Sequence, residues 1–191
     1  MIKRVWYALK MAWRYRQILR AYCVDPALQR TSVLELDPNA IRKQGFKAVI
    51  LDFDGVLASH GEAELSPEIA GWLNNFIRVW KEETIFVLSN KPEIVRIRYF
   101  KKYYPGIKFI IPLRKKPYPD SILQVLQLTG VDARELLVLD DRLLTGVLAA
   151  VIANTQARYI THPLISFRKR PLRECFFMVL RTLERCIFRY F

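Results

Sequence analysis

A three-layer α/β architecture, a parallel sheet with helices on both faces, is what this sequence predicts, on three observations. Short β-branched, apolar runs recur through the body of the chain, stretches with helical spacing separate them, and the runs end on polar or charged residues. Val49–Leu51 is the first run, of the kind buried on both faces of a parallel sheet, and Gly55 marks where the chain turns away from it. Asp52 and Asp54 follow directly. Because side chains alternate along an extended chain, the two carboxylates point the same way, about 7 Å apart at most, while Phe53 points back to the core.

The other runs repeat the pattern. Thr84–Leu88 ends on Ser89, Asn90 and Lys91, and Ile107–Ile111 leads to Arg114, Lys115 and Lys116. Leu136–Leu139 runs into Asp140 and Asp141, and Ala157–Thr161 is a fifth strand. Helices are predicted over residues 65–80, where Ser66 precedes Pro67 and Glu68, and over 92–104, 118–129, 143–152 and 171–190. Residues 23–46 read as a connection with one short helical piece at 39–43. In open parallel sheets ligands gather beyond the carboxyl ends of the strands. Four such ends carry functional groups here, and that placement marks the site.

Composition narrows the class. The chain has 191 residues, 52% of them hydrophobic, which suits one domain with a full core. Cys23, Cys175 and Cys186 form no paired motif, and His60 and His162 are the only histidines, so a zinc cluster is excluded and the thiols are expected to be reduced. No apolar run is long enough to span a bilayer. The net charge of +13 suggests nucleic acid at first sight, but it is concentrated at the ends. Residues 1–20 hold six Lys/Arg and no acid, residues 168–191 hold seven against Glu174 and Glu184, and the body between is nearly neutral. Nucleic acid is therefore not the expected partner.

Both ends read as basic amphipathic helices. Over residues 2–22, Val5, Trp6, Leu9, Ala12, Trp13, Ile18 and Leu19 recur mostly at three- and four-residue intervals among Lys and Arg, as suits an interface between lipid tails and anionic headgroups, with a helix docked on the protein's own body as the alternative. An acid-free, Arg-containing start also fits a transit peptide, although it is poor in Ser and rich in aromatics. Near the other end Leu172, Cys175, Phe176, Val179, Leu180, Leu183, Ile187 and Tyr190 share one face, with Arg173, Arg181, Arg185 and Arg189 on its polar border. That face suits either meeting lipid or capping the sheet. Residues 1–24, 25–165 and 166–191 are thus expected to be an N-terminal helix, an α/β domain and a C-terminal helix.

Carboxylates around Mg²⁺, a hydroxyl and an amide for oxyanions, and a lysine that spreads negative charge are the parts phosphoryl transfer uses. There is no GxGxxG after a strand and no GxxxxGK[ST]. DFDGVL, LSN, KP and LDD, in that order at strand ends, resemble the four motifs of the haloacid dehalogenase superfamily of phosphohydrolases. The resemblance covers about residues 46–165 and implies a Rossmann-like fold.

It implies that Asp52 attacks phosphorus to form an aspartyl-phosphate, and that Asp54 protonates the leaving alkoxide and later activates water. Ser89 and Asn90 bind the phosphoryl group, Lys116 neutralises charge, and Mg²⁺ is held by Asp52, the backbone carbonyl of Asp54, and Asp141. The short intervals between motifs leave no room for a cap domain, so the site is expected to be open and its phosphate displayed on something large. Protein and nucleic-acid phosphate are alternatives to lipid on that ground.

YCVDPALQRTSVLELDPNAIRKQGFKAVILDFDGVL, RYITHPLISFRKRPLRE and DDRLLTGV are similar to the YqeG-type branch of subclass IIIA, the bacterial and mitochondrial phosphatidylglycerophosphatases. That likeness implies a phospholipid substrate in phosphatidylglycerol and cardiolipin synthesis. It also implies a peripheral location on the cytoplasmic face of a membrane or on the matrix side of the inner mitochondrial membrane. The fourth motif of that branch commonly reads GDQLxTDV. Here Asp140 replaces the glycine, Arg142 the glutamine and Gly146 the second aspartate, which normally holds a metal-bound water. Restoring Asp at 146 is then expected to lower the Mg²⁺ requirement, unless Asp140 already serves. A membrane-bound pseudoenzyme is the competing reading of the same departure.

Overall fold

In a computed structural model describing residues 2–190, six parallel strands form one sheet in the order β1-β6-β5-β2-β3-β4. They are β1 (Gln29–Arg30), β2 (Ala48–Asp52), β3 (Ile85–Leu88), β4 (Lys108–Ile110), β5 (Leu136–Asp140) and β6 (Gln156–Ile160). Helices α1 (Ile2–Arg14), α2 (Arg16–Val24), α3 (Pro38–Lys43), α4 (Pro67–Val79), α5 (Ile94–Tyr103), α6 (Asp120–Thr129), α7 (Leu148–Ile152) and α8 (Pro171–Tyr190) complete the chain. The apolar runs put β2, β3 and β5 at the centre, where every residue of the three strands is buried.

One sheet face packs Val49, Leu51, Val87 and Leu139 against Ile69, Leu73 and Phe76 of α4 and Phe100 of α5. The other packs Ile50, Phe86, Leu88 and Val138 against Ile122 and Val125 of α6 and Leu148 and Ala149 of α7. Leu19 and Tyr22 of α2 and Phe188 of α8 belong to that second layer as well. Each face thus supplies a complete hydrophobic layer, and among the described residues no cap domain interrupts the strand ends.

Three elements differ from the sequence reading. The single helix expected over 2–22 breaks at Tyr15, whose φ of −104° and ψ of 18° are not helical. Strand β1 was not anticipated, because two residues carry no periodic signal and its pairing with β6 comes from 130 residues away in the chain. A π-helical turn, Leu143–Val147, precedes α7, and wide turns of this kind cluster at functional sites.

The terminal helices also show which faces they bury. Helix α1 buries Ala12 and stacks Tyr7 on Tyr118 at 4.3 Å, while Trp6 and Trp13 stay 69% and 65% exposed beside Ile2, Val5 and Leu9. Helix α8 is inverted relative to an ordinary surface helix. It buries Glu174, Arg181 and Glu184 at 0%, 2% and 3% exposure, and bares Leu172, Phe176, Val179, Leu183, Ile187 and Tyr190. Arg181, expected on a solvated border, instead faces inward, because a buried carboxylate waits there.

Candidate active site

The carboxyl ends of β2, β3 and β5 and the loop after β4 bring the expected groups together. Asp52 closes β2 and Asp140 closes β5, its neighbour in the sheet, with Asp141 next in chain. One oxygen from each of the three buried aspartates lies within 4.8 Å of the others, so they offer a ready ligand set for a cation. Lys116 reaches this cluster from the loop between β4 and α6, donating to Asp52 Oδ1 at 2.5 Å and to Asp140 Oδ2 at 2.6 Å. Asn90 accepts the Lys116 backbone N–H at 2.8 Å and so fixes that loop. Its side chain is the link between the second and third motifs.

Asp54 stands apart from the three. A buried Arg96 grips it with two hydrogen bonds of 2.9 and 3.1 Å, and the Ser89 hydroxyl donates to Asp54 Oδ2 at 3.3 Å. Arg96 is itself held by the Glu62 carbonyl at 2.9 Å and lies 4.2 Å above the Phe53 ring. The fork sets the direction of the Asp54 carboxylate. Ser89 also accepts the Lys91 N–H at 3.2 Å.

Helix α8 walls the site with its charged face. Arg181 donates through Nε to Asp141 Oδ2 at 2.6 Å, with Nη2 at 2.5 Å from the same oxygen but out of line for a hydrogen bond. Glu184 accepts from Arg142 and from the Leu144 N–H, and Glu174 accepts the His60 N–H at 2.9 Å while His60 stacks on Phe177 at 4.3 Å. Gly55 permits the close approach of this wall. Its φ of +92° is open chiefly to glycine, and a Cβ there would lie 2.5 Å from Asp141 Oδ2.

Gly146 is the mirror case. A Cβ at Gly146 would lie 2.6 Å from the Cβ of Asp140 and overlap its carboxylate outright. The Asp140 side chain therefore occupies the space into which a residue-146 side chain would project. The strand end and the π-helical turn thus have room for one carboxylate between positions 140 and 146.

Three carboxylates face two cations, Lys116 and Arg181, and burial sharpens the imbalance. Desolvation pushes the Asp52 carboxyl well above its ordinary range, against the pull of Lys116 and with help from Asp140 and Asp141. Asp141 is pushed up to about 7 by the same burial, opposed by Arg181 and reinforced by Asp140. Burial works against the Lys116 charge, yet Asp140 and Asp52 outweigh it and its pKa is raised. An all-oxygen, buried, charge-deficient set of this kind fits a hard divalent cation.

The sign of its effect on stability follows. Between about pH 4 and 7 the metal-free native state holds protons on Asp52 and Asp141 that the unfolded chain has lost, so stability falls as pH rises through that window. Thermal unfolding in chelator should therefore show a Tm that declines from pH 5 to 8, the stability lost being on the order of a few kcal/mol. Added Mg²⁺ should restore most at pH 8. A Tm that is flat across the range, with or without Mg²⁺, would dismiss the buried cluster as its source.

All six residues singled out in the sequence, Asp52, Asp54, Ser89, Asn90, Lys116 and Asp141, meet at this one end of the sheet. Arg96, Arg142, His60, Glu174, Arg181 and Glu184 were missed. Their partners lie 34 to 114 residues away in the chain, beyond the reach of local pattern. One signal was present: Glu174, Arg181 and Glu184 fall on a single helical face opposite the apolar one, the spacing of a second buried stripe.

Asp52, Asp54, His60, Asn90, Lys116, Asp141, Arg142 and Arg181 line a cleft of about 480 Å³ whose mouth adds Arg4 and Val5 of α1, Lys91, Lys115, and Arg173, Phe176 and Leu180 of α8. Among solved structures, an uncharacterized protein from Corynebacterium glutamicum is similar at 19% identity and a TM-score of 0.47, covering 72% of this chain and 96% of its own. A conserved haloacid dehalogenase-like protein of unknown function from Agrobacterium tumefaciens is similar at 15% identity and a TM-score of 0.40, covering 68% and 90%. No curated protein gives a significant match. A sequence profile described as mitochondrial PGP phosphatase matches residues 16–165, from α2 through every strand and every expected motif. The chain belongs to the mitochondrial PGP phosphatase family, a haloacid dehalogenase-like phosphatase family.

Proposed function

We propose that this protein is a Mg²⁺-dependent phosphatase that removes the terminal phosphomonoester of phosphatidylglycerophosphate at an anionic membrane surface. The observation that carries the reading is the buried Asp52–Lys116–Asp140–Asp141 cluster at the strand ends of a chain in this family. Asp52, Asp141 and the Asp54 backbone carbonyl would hold Mg²⁺, with Asp140 as a further carboxylate beside them. Bound there, the ion supplies positive charge for the oxygens of the transferring group.

The chain's own residues do the rest. An Asp52 carboxylate oxygen attacks phosphorus, the P–O bond to the glycerol breaks, and the leaving alkoxide takes a proton from Asp54. Asp54 then removes a proton from water, whose oxygen attacks the aspartyl-phosphate, releasing inorganic phosphate and restoring Asp52. Lys116 offsets charge on Asp52 during both steps. Ser89 and Arg96 keep the Asp54 carboxylate aimed, and Asn90 keeps Lys116 in place. The test is phosphate release with Mg²⁺ from the lipid in mixed micelles beside soluble nucleotides. Equal release from nucleotides with none from the lipid would reject the lipid substrate.

Membrane docking is supported by the exposed stripes of α1 and α8, both next to the cleft mouth. No helix of the described residues is long and apolar enough to cross a membrane. Lys3, Lys10 and Arg14 flank the Trp6–Trp13 stripe, and each basic residue near an anionic surface contributes on the order of 1 kcal/mol before screening. The surface would be the cytoplasmic face in a bacterium or the matrix face in a mitochondrion.

Removing residues 1–22 is a poor test, since it would take Leu19 and Tyr22 out of the core and Arg4 and Val5 from the cleft. Serine at Trp6, Trp13 and Leu183 is the clean one. All three are more than half exposed, so Tm should hold while binding to anionic vesicles falls roughly 10-fold or more. Undiminished binding of the triple variant would reject this docking face.

A further inference from the structure

Around the cleft the aspartates and Glu184 are each held by a cation, with Asp52 and Asp140 sharing one. Lys116 serves Asp52 and Asp140, Arg181 serves Asp141, Arg96 serves Asp54, and Arg142 serves Glu184. At the mouth the balance is different. Arg4 of α1, Lys115 of the loop before α6 and Arg173 of α8 line the same cleft, and none of them pairs with a carboxylate among the described residues. The Arg173 guanidinium lies over the Phe177 ring, 5.7 Å from its centroid, and Arg4 is half-buried, so neither is a freely waving surface charge. Val5, Phe176 and Leu180 line the same cleft.

We propose that Arg4, Lys115 and Arg173 form a second anion site, which recognises a phosphodiester in the same substrate whose phosphomonoester meets Asp52. This inference rests on the proposed function and names the part of the substrate that sets specificity. A phosphodiester is a permanent monoanion, and beside an apolar wall it is costly to leave unpaired. Arginines supply a fixed charge and a planar fork for its two free oxygens. Three cations from three separate elements, on the lining of one cleft and without a carboxylate partner among the described residues, supply that partner. The apolar residues among them suit the glycerol and acyl root beyond the diester.

The test uses soluble probes so that bilayer attraction plays no part. Wild type and Arg4→Gln/Arg173→Gln are compared on glycerophosphoglycerophosphate, the deacylated headgroup with both phosphates, and on glycerol 3-phosphate, which has only the monoester. Wild type should favour the headgroup in kcat/KM, and the double variant should lower that preference about 10-fold or more, chiefly through KM. Arg4→Lys/Arg173→Lys should recover part of it. Calorimetric titration of both esters onto Asp52→Asn protein, with and without the two Gln substitutions, reads the same preference without turnover.

The assignment is overturned by an unchanged preference in the double variant, by equal losses on both esters, or by a wild type without preference in either readout. It is overturned too if only vesicle binding falls, since the cations would then serve the bilayer. A wild type that prefers the headgroup but leaves micellar phosphatidylglycerophosphate intact would reject the lipid reading and leave the second anion site standing.

Discussion

Asp52→Asn should lower turnover of any phosphomonoester by roughly three orders of magnitude or more, with the fold intact. The amide matches the carboxylate in shape but neither attacks phosphorus nor binds a cation as an anion. Retention of the fold follows from the cluster's own electrostatics. Asp52 is a buried carboxylate crowded by Asp140 and Asp141, so losing its charge relieves repulsion, and Lys116 keeps Asp140 at 2.6 Å. The Tm of the metal-free variant should equal or exceed that of wild type. Turnover above a few per cent of wild type would mean that another group is the nucleophile. The pseudoenzyme reading makes the opposite claim, that wild type and variant are equally inert, and a single progress curve for wild type with Mg²⁺ separates them.

Gly146→Asp, expected from the motif resemblance to lower the Mg²⁺ requirement, should instead damage the protein. Its Cβ would overlap the Asp140 carboxylate, within a buried π-helical turn and beside a charge of the same sign. Overpacking plus like-charge crowding is expected to cost about 2–4 kcal/mol, a fall in Tm of roughly 5–15 °C. Adding Asp140→Gly should recover most of that loss, because the double exchange returns one carboxylate to one space. Coupling between the two positions, measured as the departure from additivity in the four-protein cycle, is therefore predicted to be large. Should Gly146→Asp melt like wild type and work at lower Mg²⁺, the positions are independent and Asp140 does not fill the role.

The layered fold was legible because its cause is local. Ala48–Asp52, Ile85–Leu88 and Leu136–Asp140 are buried on both faces and apolar up to their carboxyl ends, as a central parallel strand requires. The site was legible for the same reason, since Asp52, Ser89 and Asp141 each sit where a strand stops. What stayed hidden was set by distance along the chain. Nothing near Arg96 shows that Asp54, 42 residues earlier, will meet its guanidinium. Nothing near Arg181 announces Asp141, 40 residues before it. The exchange between positions 140 and 146 was visible as two departures, but that they share one volume is a fact of the turn's geometry.

The inverted packing of α8 has a consequence for which of its residues are free to drift. Glu174, Arg181 and Glu184 each meet a partner of fixed place and sign, so each admits few replacements. On the other side, a fluid covering such as lipid has no shape to match. Leu172, Val179, Leu183 and Ile187 are then interchangeable with any apolar side chain of similar bulk. Along this helix the usual expectation is reversed: the charges are packed as a core is, and under the proposed docking on lipid the hydrophobic residues are as free to change as a surface.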